Sequence, residues 1–184
     1  MLQAIELGLA GIKLITPKRH GDHRGFFSET YSRRSFSAIG IPQEFVQDNH
    51  SLSADIGTLR GLHFQLPPFA QDKLIRVCRG RILDVVVDIR KDSPTFGQSL
   101  SVELSAEDWN QLFVPIGFAH GFCTLEPDTE VLYKVSNFYS PEHDRGLLWN
   151  DPDLGIAWPV AKDKAVLSPK DKTHPCLKDL KDLF

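Results

Sequence analysis

Lys73-Leu74-Ile75-Arg76-Val77-Cys78-Arg79-Gly80-Arg81-Ile82-Leu83-Asp84-Val85-Val86-Val87-Asp88-Ile89 carries the strongest β signal in the chain. Residues 73–78 form one run rich in apolar and β-branched side chains. Residues 81–89 form a second, in which Leu83, Val85, Val87 and Ile89 share a parity and hence one face of a strand. Arg79-Gly80 between the runs predicts a hairpin turn. Shorter runs of the same kind surround this pair, at 12–15, 26–31, 45–50 and 57–65 before it and at 98–104, 109–114, 119–125 and 129–137 after it. Clusters of turn formers separate them, among them Ser93-Pro94-Thr95-Phe96-Gly97, Pro115-Ile116-Gly117 and Glu126-Pro127-Asp128. Residues 32–39 suit one or two helical turns halted by Gly40-Ile41-Pro42, and Leu177, Leu180 and Phe184 give the tail a helical spacing. Eight or more short strands with little helix predict an all-β fold. The expected form is a jelly roll of two antiparallel sheets with a few short helices, mainly at the C-terminus.

The 184 residues suffice for one well-buried domain and nothing in the composition marks a second. Residues 1–184 are therefore expected to fold as one unit, with 162–184 as a C-terminal tail. Hydrophobic residues make up 41% and charged residues 24%, with a formal net charge of -3. That balance argues against nucleic acid or a membrane surface as partner, because both call for a basic face. Cys78, Cys123 and Cys176 are odd in number and widely spaced, which fits neither a disulfide framework nor a zinc ribbon. Met1-Leu2-Gln3-Ala4-Ile5-Glu6 lacks the basic start and long apolar core of a signal peptide, and no apolar run is long enough to span a bilayer. A soluble, cytoplasmic protein is expected.

Leu59-Arg60-Gly61-Leu62-His63-Phe64-Gln65 places a cation and an imidazole three residues apart in a strand-like run. Plain alternation puts Arg60 and His63 on opposite faces, so both reach one site only if the backbone at Gly61 departs from it, as at a bulge. Pro115-Ile116-Gly117-Phe118-Ala119-His120 has the Pro-x-Gly-x-x-His form of a metal-binding segment in cupin jelly rolls. The companion His-x-His pair is missing, since Phe64 and Gln65 follow His63, and two histidines are too few ligands for a first-row metal. No metal and no other cofactor is expected.

Lys73 shares the parity of Ile75 and Val77. If those face the core, its ammonium points inward, where a charge is costly unless paired or used; the alternative is a lysine at the barrel mouth with its head in water. Tyr133 shares the parity of Val131 and Val135, so its hydroxyl also looks inward, as a reactive group or as a buried structural tyrosine. Asp84 and Asp88 share the parity of Ile82 and Val86, opposite to the aliphatic set, and Asp88 is expected to face solvent.

With these residues in hand, the chain resembles the dTDP-4-dehydrorhamnose 3,5-epimerase family of the cupin superfamily. The matching blocks are Asp22-His23-Arg24-Gly25-Phe26-Phe27-Ser28-Glu29, Phe45-Val46-Gln47-Asp48-Asn49-His50-Ser51, residues 59–65 quoted above, Val114-Pro115-Ile116-Gly117-Phe118-Ala119-His120-Gly121-Phe122, Tyr133-Lys134, Leu148-Trp149-Asn150-Asp151-Pro152 and Leu167-Ser168-Pro169-Lys170-Asp171. They stand in the family's order from about residue 22 to 171, and together they are highly specific.

The resemblance implies inversion of C3 and C5 of a dTDP-linked 4-keto-6-deoxy sugar, through an enolate, on the way to dTDP-L-rhamnose and cell-surface polysaccharide. It implies His63 as general base, Asp171 as the carboxylate that orients it, Lys73 as the cation beside the C4 oxygen and Tyr133 as the acid across the ring. His120 and Asp84 resemble a supporting pair lining the pocket. Arg24, Phe27, Glu29, Gln47, Asn49, Arg60, Tyr139, Asp144 and Lys170 fall on the family's substrate-binding positions, Tyr139 as an aromatic that stacks on the base. Asp144 stands where Glu is usual and is shorter by a methylene, and the loop from Ser51 to Thr58 is one residue longer than in some relatives. The family also implies a homodimer that exchanges N-terminal strands, so that Arg24 and Glu29 serve the neighbour's site. Three other readings remain open: a relative that inverts one carbon or isomerises the ketone, a non-catalytic sugar-nucleotide-binding cupin, and a metal-dependent cupin.

Overall fold

Lys73–Arg79 and Arg81–Asp88 are both strands, but they belong to different sheets. The predicted hairpin at Arg79-Gly80 is instead a corner at which the chain leaves one sheet and enters the other. Gly80 makes the corner possible: its φ is +79° and a Cβ there would lie 2.4 Å from the Thr129 hydroxyl oxygen. The computed structural model describes residues 2–184.

In chain order the strands are β1 (Gln3–Glu6), β2 (Lys13–Thr16), β3 (His20–Asp22), β4 (Gly25–Phe27), β5 (Gln47–Ser53), β6 (Leu59–Gln65) and β7 (Lys73–Arg79). They continue as β8 (Arg81–Asp88), β9 (Ser99–Ser105), β10 (Gln111–Val114), β11 (Phe118–Thr124), β12 (Thr129–Val135) and β13 (Asp144–Gly146). The first sheet runs β1-β2-β10-β7-β12-β5 and the second β13-β6-β11-β8-β9, while β3 and β4 pair as a separate hairpin. The pairings within the sheets are antiparallel. This is the predicted jelly roll of the cupin type.

Between the sheets, Ile75, Val77 and Val131 from the first meet Ile82, Val86, Leu104 and Phe122 from the second. The second sheet is buried on its outer face as well, where Leu62, Phe64, Val85, Val87 and Ile89 lie under Leu147, Leu154, Leu177, Leu180 and Phe184. Double burial explains why Leu83, Val85, Val87 and Ile89 are apolar although they face away from the sandwich interior that Ile82 and Val86 line. The tail is a single 3-10 turn, Leu177–Asp179, rather than a longer helix, yet its apolar residues still reach that face. On the first sheet, Phe36 of α1 (Arg33–Ala38) packs with Ile15, Ile41, Leu74 and Phe113. A fully buried phenylalanine of this kind contributes roughly 2–3 kcal/mol.

Two further expectations are corrected. Asp88 does not face solvent: it is fully buried at the end of β8, where Arg90 donates at 2.9 and 2.6 Å and the Ser93 and Thr95 hydroxyls each donate at 2.6 Å. Burial pushes its carboxyl up, but these donors outweigh burial and hold it well below the usual carboxylate range. The strand expected at 26–31 ends at Phe27, because Ser28 and Thr30 bond instead to Trp109 and Gln111: the Trp109 indole donates to Ser28 Oγ at 3.1 Å and the Gln111 amide to the Thr30 carbonyl at 3.0 Å. Strands β1, β3 and β13, at most four residues each, lack an apolar alternation to announce them.

Candidate active site

The conflict between Arg60 and His63 is resolved in the backbone of β6. His120 of β11 pairs with His63, and Phe122 with Arg60, so two steps on β11 match three on β6 and one residue bulges out. Gly61 has φ +127°, and a Cβ there would lie 2.6 Å from Gly121 Cα and 2.8 Å from the His120 carbonyl oxygen. The extra residue flips the parity, so Arg60, His63 and Gln65 turn toward the interior while Leu62 and Phe64 join the outer apolar layer.

The interior side of this strand borders a cavity of about 260 Å³, lined among others by Arg60, His63, Lys73, His120, Tyr133 and Asp171. A second lobe of about 290 Å³ shares His63, Lys73 and Tyr133 and adds Gln47, Asn49, Gln65, Tyr139 and Asp144. His63 projects from the second sheet, and Lys73 and Tyr133 from the first. The cleft therefore has an imidazole on one wall and a phenol with an ammonium on the other.

His63 Nε2 meets Asp171 Oδ1 at 2.6 Å, with Asp171 buried in the loop that follows Ser168. Burial pushes the Asp171 carboxyl up, but His174, His63 and Ser168 more than offset it and hold it far below the usual range, so it is ionised. Lys73 is 8% exposed and donates to the His63 carbonyl at 3.1 Å. The inward orientation of this lysine is the observed one. Burial lowers its pKa to about 8, against the pull of Asp144 and Asp84. Burial also raises the Tyr133 phenol, which keeps its proton at neutral pH. Behind them, His120 Nε2 lies 2.9 and 3.0 Å from the two oxygens of the fully buried Asp84. Desolvation lowers the His120 pKa despite that carboxylate, so its imidazole is neutral.

At the outer lobe, the Gln47 amide donates to Asn49 Oδ1 at 2.9 Å, and Gln47 Oε1 accepts from the Tyr139 backbone at 3.2 Å. The Tyr139 hydroxyl donates to Asp144 at 3.0 Å, and Lys170 pairs with the same carboxylate. Arg60 is anchored by Ser53 Oγ at 3.2 Å and the Leu52 carbonyl at 3.1 Å. The structure does not bring Arg24, Phe27 and Glu29 into the cleft of their own chain. Arg24 pairs with Asp22 in the β3–β4 hairpin, Phe27 is 72% exposed, and Glu29 accepts from Ser35.

Two residues of the site escaped the sequence reading. Gln65 donates to the Phe69 and Phe138 carbonyls at 2.6 and 3.1 Å and accepts from Ser140 N at 2.7 Å, which pins the loop bearing Tyr139. Its signal was its parity with His63. His174 stands 3.5 Å from Asp171 Oδ1 in a segment without any periodicity, so it had none.

A jelly roll of this type, with an imidazole–carboxylate pair facing a phenol and a buried ammonium across its cleft, carries the groups that suit acid–base isomerisation on a cupin fold. The sequence matches the family described as dTDP-4-dehydrorhamnose 3,5-epimerase over residues 6–179. The chain belongs to that family. It is 55% identical over 174 residues to the dTDP-4-dehydrorhamnose 3,5-epimerase of Sinorhizobium fredii, covering 95% of this chain and 89% of the relative. Its structure resembles that of the Bacillus anthracis enzyme of the same name, solved with TDP and PPi bound, with a TM-score of 0.93, 52% identity and coverage of 96% and 99% of the two chains. The Legionella pneumophila dTDP-6-deoxy-D-glucose-3,5-epimerase, solved in complex with dTDP-4-keto-L-rhamnose, matches with a TM-score of 0.93 and 41% identity over 98% of this chain and 95% of that one.

Proposed function

We propose that the protein inverts C3 and C5 of dTDP-4-dehydro-6-deoxy-D-glucose to give dTDP-4-dehydro-L-rhamnose, without a metal, in the supply of rhamnose for cell-surface polysaccharide. The observation that carries this reading is the placement of His63 and Tyr133 on opposite sheets of one cleft, with Lys73 beside them. The C4 ketone makes the hydrogens on C3 and C5 acidic, but an enolate still has to be stabilised. His63 takes the proton, and Asp171 orients the ring and stabilises the imidazolium that forms. Lys73 sets a positive charge in a dry wall of the cleft for the C4 oxygen, a contribution on the order of ~3 kcal/mol. Tyr133, with its proton retained, returns hydrogen to the opposite face of the carbon, which is what makes the step an inversion.

The nucleotide is assigned to the outer lobe and its rim. Arg60 and Lys170 suit the diphosphate, Gln47 and Asn49 the hydroxyl and base edges, and Tyr139 the face of the thymine, with Asp144 positioning Tyr139 and Lys170. Arg24, Phe27 and Glu29 act on the neighbouring protomer of a homodimer. Supporting this are their absence from the lining of their own chain's cleft and the exposure of Ile5 on edge strand β1, of Val46 and Leu52 at edge strand β5, and of Phe26 and Phe27 in the β3–β4 hairpin. Among the described residues no helix is long and apolar enough to cross a membrane, and the cytoplasm is the proposed location. Incubating the protein with the 4-keto sugar in deuterated water and following C3 and C5 by NMR tests the reaction. Incorporation at both carbons is expected, and incorporation at one alone would place the protein among single-centre epimerases.

A further inference from the structure

The carboxylate that holds His63 is flanked by a second imidazole. His174 Nε2 lies 3.5 Å from Asp171 Oδ1, the oxygen that His63 Nε2 reaches at 2.6 Å. The His174 side chain is only 8% exposed, and its Nε2 is buried without a hydrogen-bond partner among the described residues. The ring is seated against Gly146, where a Cβ would fall 2.2 Å from it, so this orientation depends on that glycine. One ring nitrogen from each histidine and one Asp171 oxygen all lie within 4.8 Å of one another.

We propose that His63, Asp171 and His174 form a three-ligand site for a borderline divalent cation, zinc above all. Its ligands differ from the His63 and His120 pair that a cupin sequence suggests. Zinc bound at about 2.0–2.1 Å holds tetrahedral ligand atoms about 3.3 Å apart. The His174–Asp171 separation of 3.5 Å is already close to this, while binding requires the 2.6 Å His63–Asp171 contact to open and the two imidazole nitrogens, within 4.8 Å of one another, to settle at the same spacing. The fourth position falls to water, since His63 is 35% exposed and lines the cleft. Two nitrogens and one oxygen favour zinc or cobalt over magnesium or calcium, which take oxygen ligands. The cation replaces the proton shared by His63 and Asp171, so it occupies the base and inhibits the enzyme. Binding follows from the geometry alone, whereas inhibition rests on the proposed role of His63.

Cobalt(II) titrated into the full-length protein tests the site. One equivalent is expected to bind with the strong visible absorption of a four-coordinate centre, to be displaced by zinc and not by magnesium, and to bind about tenfold or more weakly to His174→Gln. On the wild type, zinc is expected to shift the imidazole NMR signals of both His63 and His174, a measurement that needs no variant. Absence of stoichiometric binding, equal affinity in His174→Gln, or equal competition by magnesium would each overturn the proposal. Zinc is also expected to stop proton exchange into the 4-keto sugar. If cobalt binds as described and exchange continues under saturating zinc, the metal site stands and His63 is not the base.

Discussion

His63 and Asp171, 108 residues apart in the chain, meet at 2.6 Å across the junction of strand β6 and the C-terminal loop. A loop thus reaches over the sheet and delivers a buried carboxylate to a residue held in place by strand pairing. The strand sets where the imidazole stands, and the loop sets how it is turned.

Burial makes the Lys73 ammonium costly to hold, and its removal is expected to separate stability from activity. Lys73→Met is expected to lower kcat/KM by about 100-fold or more. The same change raises the stability at pH 7 by up to about 3 kcal/mol, the equivalent of lowering a lysine pKa from 10.5 to about 8. Denaturant melts and steady-state kinetics on one preparation check both.

The pH dependence follows from the same group. Below about 8 the folded protein bears the full cost of the buried ammonium; between about 8 and 10.5 it has released a proton that the unfolded chain still holds. Stability from this group therefore increases as pH rises through that window, while kcat/KM falls as the cation is lost. A wild-type profile in which activity declines above about 8, absent from the residual activity of Lys73→Met, is the expected result.

Tyr133→Phe keeps the base and the cation but removes the acid. Solvent deuterium is expected still to enter the sugar while inversion slows at one of the two carbons. Wild-type behaviour in both measurements would show that another group delivers the proton.

Gly61→Ala is expected to destabilise the fold by roughly 3 kcal/mol or more, since the new methyl would meet Gly121 Cα and the His120 carbonyl on the paired strand at a residue with φ +127°. Urea denaturation reads this directly. The loss is of stability and of the bulge that aims Arg60 and His63 together, so residual folded protein is expected to bind the nucleotide sugar weakly.

Much of this architecture is legible in the sequence because strands announce themselves by parity. Leu83, Val85, Val87 and Ile89 mark β8, and the same rule turns Lys73 and Tyr133 inward, as observed. The conflict between Arg60 and His63 called for a departure near Gly61, and the bulge is there. What parity does not carry is connection between sheets and contacts made by loops. Arg79-Gly80 reads equally well as a hairpin or as a corner, because the turn residues are the same and the partner strands are distant in sequence. Charged strand residues usually face solvent, and the donors that let Asp88 do otherwise, Arg90, Ser93 and Thr95, sit in the loop after the strand. Asp171 is marked by the family's pattern, not by spacing. His174, beyond that pattern and in irregular backbone, left no trace.

Mixed dimers test the assignment of Arg24 to the neighbouring site. Arg24→Ala and His63→Asn are each expected to be inactive alone. Co-expressed, they form hybrids in which one site has both residues intact, and about a quarter of wild-type activity is expected if protomers pair at random. No recovery on mixing would place Arg24 in its own chain's site or outside the site altogether.

The most direct test of the account is His63→Asn in deuterated water with the 4-keto sugar, read by NMR at C3 and C5. Wild type is expected to incorporate deuterium at both positions and the variant at neither, with the fold intact by circular dichroism. Exchange persisting at either carbon in the folded variant would contradict a single base at His63.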